Sequence, residues 1–184
     1  MKLYTIRSLK AWRSDQKEGF IWNSIDPTNV IFWNPYHWMA KQMRERLKVP
    51  TRRMITFPVW AWLKKPNLRC ERHNYRGAHV LIEFEMDEIL LSDFDAWHCV
   101  LNQWYMGTQK ETNQFERDRK KDGLELRAFE QLPWNFRIRM EKSWEKVFII
   151  KKKSVAQATM WEIPIENIKK VIPFKGLLPK NKSF

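Results

Sequence analysis

The 184-residue chain has only two cysteines and five glycines, and no apolar run approaches the roughly 18 residues of a membrane-spanning helix. Each scarcity excludes something. Cys70 and Cys99 cannot build a disulfide framework, and the paired spacings of a structural zinc module are missing. Neither a stapled secreted domain nor a bound metal is therefore expected. With so few glycines there is no Gly-rich phosphate loop, so side chains or a helix N-terminus would have to hold any phosphate. G-x-S-x-G, H-E-x-x-H, zinc-finger and aromatic ribonucleoprotein signatures are absent too. The opening MKLYTIRSLKAW carries Arg and Lys where a signal peptide needs its apolar stretch. The expectation is a cytoplasmic protein with no membrane partner.

One further absence is local. Residues 78 to 107 contain no Lys or Arg, but they do contain Glu83, Glu85, Asp87, Glu88, Asp93 and Asp95. The whole chain nevertheless carries a formal charge of +13. A basic exterior around an acidic strand–helix segment suggests an anionic partner for the exterior and internal pairing for the segment. The plain alternative is a solvated basic surface that only confers solubility.

What is abundant is aromatic. Eleven Trp and eleven Phe bring aromatics to 14% of the chain, which argues against disorder. A chain of this length buries roughly 70% of its unfolded surface and needs no staple. KLYTI (2 to 6) reads as a first strand. Ser8 caps a helix to about Lys17, stopped by Gly19, and FIW (20 to 22) is again extended. Asn34-Pro35 starts a second helix with Tyr36, Met39, Met43 and Leu47 on one face, ended by Pro50. FPVWAWL (57 to 63) is extended, and Pro58 places it at an edge or at the beginning of a strand. A basic loop follows over 64 to 77. AHVLIEFEM (78 to 86) alternates, with Val80, Ile82, Phe84 and Met86 facing one way and His79, Leu81, Glu83 and Glu85 the other.

LLSDFDAWHCVLNQWY (90 to 105) reads as a single amphipathic helix. Ser92 is its cap, and Leu90, Phe94, Trp97, Leu101 and Trp104 form its face. Residues 108 to 131 form a charged helix broken at Gly123. Pro133 opens a last helix with Phe136, Met140, Trp144, Val147 and Phe148 inward. VAQATMW (155 to 161) and KKVIPF (169 to 174) are two final strands joined by a turn at IPIEN. Strands interleaved with helices predict an α+β fold: a small, mostly antiparallel sheet with several packed helices, forming a single domain over 1 to 175 with a frayed basic tail at 176 to 184.

Three constellations carry possible chemistry. Asp95, His98 and Asn102 share a helix face, and Asp95 could orient the His98 ring for acid–base work; capping alone would also explain Asp95. Glu83 and Glu85 share a strand face with His79, where salt bridging is the plain alternative. The basic loop interleaves Lys64, Lys65, Arg69, Arg72 and Arg76 with Tyr75, directly after Trp60 and Trp62. Guanidinium groups grip phosphates and aromatic faces stack bases, so these residues suit a nucleotide or a single strand of nucleic acid. The alternative puts the tryptophans in the core and the arginines in water.

KLYTIRSLKAW, NPYHWMAKQM, FPVWAW, LLSDFDAWHCVLN, SWEKVF and QATMWEIPIENI together resemble an uncharacterised bacterial family, domain-of-unknown-function family 3841. That resemblance covers most of the chain and implies no activity. A strand carrying YT, a helix with a Trp and then GFI is similar to the opening of ADP-ribosyltransferase-like domains. This second resemblance implies NAD as cofactor, with Tyr4, Thr5 and Arg7 facing the dinucleotide. It also implies Gln157 or Glu162 stabilising an oxocarbenium-like sugar.

Three readings follow. The leading one is a domain that binds an anionic ligand, nucleotide or nucleic acid, through its basic aromatic surface. The second is an NAD-using ADP-ribosyltransferase with a cleft lined by Thr5 and Gln157 or Glu162. The third is a protein–protein module modulating a bacterial or phage defence or toxin system, exposing some of Trp22, Trp33 and Trp38.

Overall fold

A computed structural model describes residues 1–23, 32–48 and 57–178. Among these the chain runs β1 (Lys2–Ser8), α1 (Leu9–Glu18), β2 (Phe20–Trp22), α2 (Trp33–Arg46), β3 (Val59–Trp62), α3 (Leu68–Glu71), β4 (Arg76–Glu85), β5 (Leu90–Asp93), α4 (Phe94–Leu101), α5 (Gln109–Lys121), α6 (Trp134–Trp144), β6 (Ala156–Met160), β7 (Glu162–Pro164) and β8 (Ile168–Leu177). Six strands form a sheet in the order β5-β6-β3-β1-β4-β8, and β2 pairs with β7 in a second, two-stranded sheet. The β1–β3, β1–β4, β3–β6, β4–β8 and β2–β7 pairings are all antiparallel. The fold is α+β with a mostly antiparallel sheet, as the alternation of strand and helix patterns predicts.

The described residues divide into two compact units. One comprises 1–23, 39–48, 57–91 and 157–178, and the other 32–38 and 92–156. In the first unit the core is built on one face of the sheet. Leu3, Ile21, Ile82, Phe84, Ala158 and Ile163 are fully buried there, with Trp12 of α1 packed among them. At about 25 cal/mol per Å² of apolar surface, each such Leu, Ile or Phe contributes about 1.5–3 kcal/mol. α1 forms where Ser8 bonds the Ala11 N–H at 3.1 Å, and it stops at Gly19, whose φ of +84° suits a residue without Cβ.

The second unit has an aromatic core. Trp144 is fully buried, stacks on Phe129 at 5.2 Å and meets Trp38 edge-on at 5.6 Å. Its indole N–H donates to the Trp104 carbonyl at 2.7 Å. Thr108 and Glu111 close a capping box at the start of α5. Arg139 pairs with Asp118 at 2.8 Å while lying over the Phe115 ring at 5.2 Å.

Several expectations are corrected. Residues 90 to 105 are not one helix. Leu90–Asp93 is a strand beside β6, and the Thr159 hydroxyl bonds the Leu90 carbonyl at 3.2 Å. The helix begins at Phe94, and its cap is Asp93, which accepts from the Ala96 N–H at 2.9 Å. The expected cap, Ser92, is fully buried instead. α4 ends at Leu101, and the positive φ of 55° at Gln103 stops its continuation, leaving Trp104 61% exposed rather than on a packed face. α2 starts at Trp33, two residues before Pro35, the first helical position that Asn34-Pro35 implies, and Pro50 lies outside the described residues. Of the two places expected for Pro58 the beginning of a strand holds, since it immediately precedes β3, an internal strand between β6 and β1. IPIEN contributes to β7 and a single 3-10 turn, and β8 continues through Gly176 and Leu177. Leu81, expected on the polar face, is 1% exposed because that face is covered at its centre.

Candidate functional site

α1 presents two chemically distinct faces. Trp12 and Asp15 turn inward and are buried. Lys10, Arg13 and Lys17 fall at i, i+3 and i+7, which puts them along one outer stripe. That stripe, with Ser8, Leu9, Ser14 and Ala78, lines an open concavity of about 500 Å³. The groove lies where β1 ends: Ser8 pairs with His79 of β4, and Ala78 is the residue before it. None of Lys10, Arg13 and Lys17 forms an ion pair with a carboxylate among the described residues. An acidic residue, Glu18, bounds the groove through Ser14. It touches the groove residue Ser14 at 3.5 Å and accepts the Trp22 indole N–H at 2.6 Å.

A ring cluster stands at the start of β4, on the sheet face opposite Ala78. Tyr75 lies 4.9 Å from His79 and meets Phe174 edge-on at 6.0 Å, and His79 is 5.7 Å from Phe174. All three rings are half-buried. Burial, and secondarily the Glu71 carboxylate, push the Tyr75 hydroxyl above its ordinary value. In the β4–β8 register His79 faces Phe174 and Ala78 faces Lys175. The whole arrangement belongs to the first compact unit.

The residues proposed from sequence are distributed differently. Arg69 and Arg76 are exposed and Arg72 is half-buried, and the expected basic loop contains α3, which Asn67 caps by accepting the Arg69 N–H at 3.0 Å. Tyr75 joins the ring cluster. Arg7 is engaged within the fold: its guanidinium donates to both Asp15 oxygens at 3.0 and 2.9 Å, to Asn23 Oδ1 at 2.7 Å and to the Trp22 carbonyl at 3.1 Å. Thr5 is buried and donates to the Trp60 carbonyl at 2.9 Å.

Tyr4 pairs with Trp62, and Trp62 with Gln157, so these three share one face of the sheet together with Trp60. Thr5, the residue next to Tyr4, points to the opposite face. The sheet parity therefore separates Thr5 from Gln157. Gln157 is 4% exposed, and its buried Nε2 meets no partner among the described residues. Glu162 belongs to the two-stranded sheet, opposite Trp22.

Asp95 and His98 lie on α4, in the second unit, and both are exposed. The His98 Nδ1 sits 2.9 Å from the Phe94 carbonyl, one turn back, rather than on Asp95. Among the described residues no three His, Cys, Asp or Glu side chains gather in a metal-binding group. The Cys99 thiol is pushed up by burial and then by Asp93. Of the three tryptophans expected to form an exposed patch, Trp38 is buried and Trp22 and Trp33 are half-buried. The exposed ones are Trp104 and Trp134, at 61% and 70%.

The acidic segment pairs with its own surroundings. Lys2 meets Glu83 at 2.8 Å, the N-terminal amine meets Asp87 at 2.8 Å, Lys169 meets Glu85 at 3.6 Å and the Lys48 N–H meets Glu88 at 2.5 Å. The hydrogen bond from Lys2 holds the Glu83 carboxyl below its usual value.

Sequence reasoning missed Lys10, Arg13 and Lys17. The signal for them is their one-face spacing behind a good N-cap. A family model described as a domain of unknown function (DUF3841) matches residues 3–169. No curated protein and no solved structure matches the chain.

Proposed function

The chain belongs to the DUF3841 family, and from its geometry we propose that it binds phosphorylated anions, as nucleotide or nucleic acid, in the groove along α1. One observation carries this reading: Lys10, Arg13 and Lys17 line a single concavity with no carboxylate paired to them among the described residues. Cations left in that state keep their attraction for an external anion, and a concave wall raises the local concentration of counter-ions. The N-terminal end of α1, at Ser8 and Leu9, adds the positive end of a helix dipole.

Equilibrium binding of ATP and of inorganic tripolyphosphate tests this at about 50 mM salt, where phosphate-driven binding is strong. The combined substitution Lys10→Gln, Arg13→Gln and Lys17→Gln is expected to weaken both at least tenfold. The affinity of the wild type should fall as salt rises, and that of the triple variant should depend on salt far less. Equal affinity and equal slope in the two proteins would refute the proposal.

The NAD-dependent reading draws less from the geometry. Tyr4 shares a sheet face with Gln157, but Thr5 occupies the opposite face and the Arg7 donors are engaged by Asp15, Asn23 and Trp22. Incubation with labelled NAD is expected to yield neither nicotinamide release nor label transfer. Either product would revive the enzymatic reading.

A further inference from the structure

Resting on the groove reading above, we infer that the ligand is the phosphodiester backbone of a nucleic-acid duplex, gripped between α1 and the end of β8 with no readout of its bases. The inference starts from the sheet face that the groove uses. Ala78 is a groove wall, and Lys175 of β8 is its direct partner in the β4–β8 register. Directly opposed residues of an antiparallel pair point to the same face, with Cβ atoms about 4.5–5.5 Å apart. That face is the one α1 packs against, since Val80, two residues on from Ala78, shares a cluster with Trp12. The sheet order puts β4 between β1 and β8, so Lys175 flanks Ala78 on the side away from Ser8 and the start of α1. Lys175 is exposed and forms no ion pair with a carboxylate among the described residues. The groove is thus bordered by positive charge on both sides.

What lines the groove decides between ligands. Among the described residues its lining holds three cations, two serines, Leu9 and Ala78, and no aromatic ring. His79 and Phe174 turn to the opposite face, because each is next in its strand to a groove-side residue. A free nucleotide is held by its base as well as its phosphates, and a base needs an apolar or aromatic pocket. Single strands bind through bases stacked on rings, and no ring lines the groove to receive them. A duplex turns its phosphates outward and keeps its bases stacked within. Contacts to those phosphates position a protein and carry no sequence information.

Spacing points the same way. From Lys10 to Lys17 the cationic stripe runs about 10 Å along α1, at about 1.5 Å per residue. That length is the axial rise of about three phosphates on one strand of B-DNA, at about 3.4 Å each. Lys175, across Ala78, adds a contact outside that line.

Fluorescence anisotropy on the full chain tests the inference between about 50 and 200 mM salt. The probes are a mixed-sequence duplex of about 16 base pairs, the single strand of the same length, and all-A·T and all-G·C duplexes. Tripolyphosphate and ATP are measured in parallel by calorimetry. Duplex should bind about threefold or more tighter than single strand, and the A·T and G·C duplexes should agree within about twofold. ATP should bind no better than tripolyphosphate. Four cations in contact predict a log–log salt slope of about −3.6 for the duplex, and Lys175→Gln should flatten it by about 0.9. Lys175→Arg should restore the slope. Lys152→Gln removes the same charge from an exposed turn in the other unit and should leave it unchanged.

The duplex inference is overturned, and the groove reading stands, if Lys10→Gln, Arg13→Gln, Lys17→Gln abolishes tripolyphosphate binding but leaves duplex affinity intact. Tighter binding of single strand than of duplex has the same meaning. Equal effects of Lys175→Gln and Lys152→Gln overturn the two-sided grip, because a diffuse field then accounts for both. If neither tripolyphosphate nor duplex binds, the groove reading falls and takes the inference with it. A thermal melt confirms that Lys175→Gln folds; should it not, Lys175→Met replaces it, with the same expected loss and the same overturning result.

Discussion

Arg7 and Asp15 tie three elements together through a pair of side chains that are only 18% and 5% exposed. The guanidinium is planar and forked, so one residue reaches Asp15 on α1, Asn23 and the Trp22 carbonyl on β2 at once. Removing one partner of such a pair strands the other in a poorly solvated place. Asp15→Ala is therefore expected to cost about 3–5 kcal/mol, measured by urea unfolding, and replacing both residues by apolar ones of similar size should recover much of that. A loss below about 1 kcal/mol would place the pair with ordinary surface ion pairs.

Asp93 makes a different prediction, in pH. Burial pushes its carboxyl up, but the Ser154 hydroxyl, the Ala96 and Asp95 amides and the Lys151 ammonium outweigh burial and leave it below its ordinary value. A carboxyl lowered by folding stabilises the native state above its unfolded pKa of about 3.9. That contribution is lost as pH falls through the lower, folded value. Asp93→Asn keeps an oxygen to cap α4 but carries no charge. The wild type should be the more stable of the two at neutral pH, and the difference should shrink below about pH 4; a gap independent of pH would assign the effect to shape alone.

At the scale of elements, the passage from β5 to α4 turns on which side chain caps. Asp93→Ala is expected to cost about 1 kcal/mol. Ser92→Ala should stay within about 0.5 kcal/mol, because the buried Ser92 hydroxyl meets no partner among the described residues. The reverse order in thermal melts would restore the longer helix. β8 has its own critical position. A Cβ on Gly176 would fall onto the Tyr75 carbonyl, which also accepts the Leu178 N–H at 2.9 Å. Gly176→Ala should therefore cost about 1–3 kcal/mol and shift the Tyr75 ring.

These cases show what local pattern carries and where it stops. Ser8, Gly19 and the alternation of β4 were legible because each is set by its own neighbours in the chain. The helix expected over 90 to 105 failed for a non-local reason. A period of three to four was present, but Leu90–Asp93 gains backbone partners from β6, more than sixty residues away in the chain, and no periodicity within the segment encodes that pairing. β7 was missed for the same reason: three residues acquire strand form only by pairing with β2.

The charge of the whole molecule is segregated rather than merely high. Glu83, Glu85 and Asp87 are matched by cations of their own unit, so the acidic segment is neutralised where it lies. The excess of +13 must then reside elsewhere, and part of it lies unpaired along α1. This division was legible in sequence as far as sign and segment. The groove was not, because it needs the end of β1 to meet Ala78 of β4, a meeting that only the sheet register creates. A general excess of charge and a built anion site make different demands on stability. Self-repulsion is relieved by any salt, through ionic strength and not through the identity of the anion. A site that binds the native state alone stabilises it by about 2.7 kcal/mol at a ligand concentration a hundred times its dissociation constant. At fixed ionic strength, replacing chloride by tripolyphosphate is thus expected to raise the melting temperature of the wild type by several degrees, and that of the Lys10→Gln, Arg13→Gln, Lys17→Gln variant hardly at all. If both proteins respond equally, the cations of α1 act only as part of a diffuse positive field, and the anion site has to be sought on another surface.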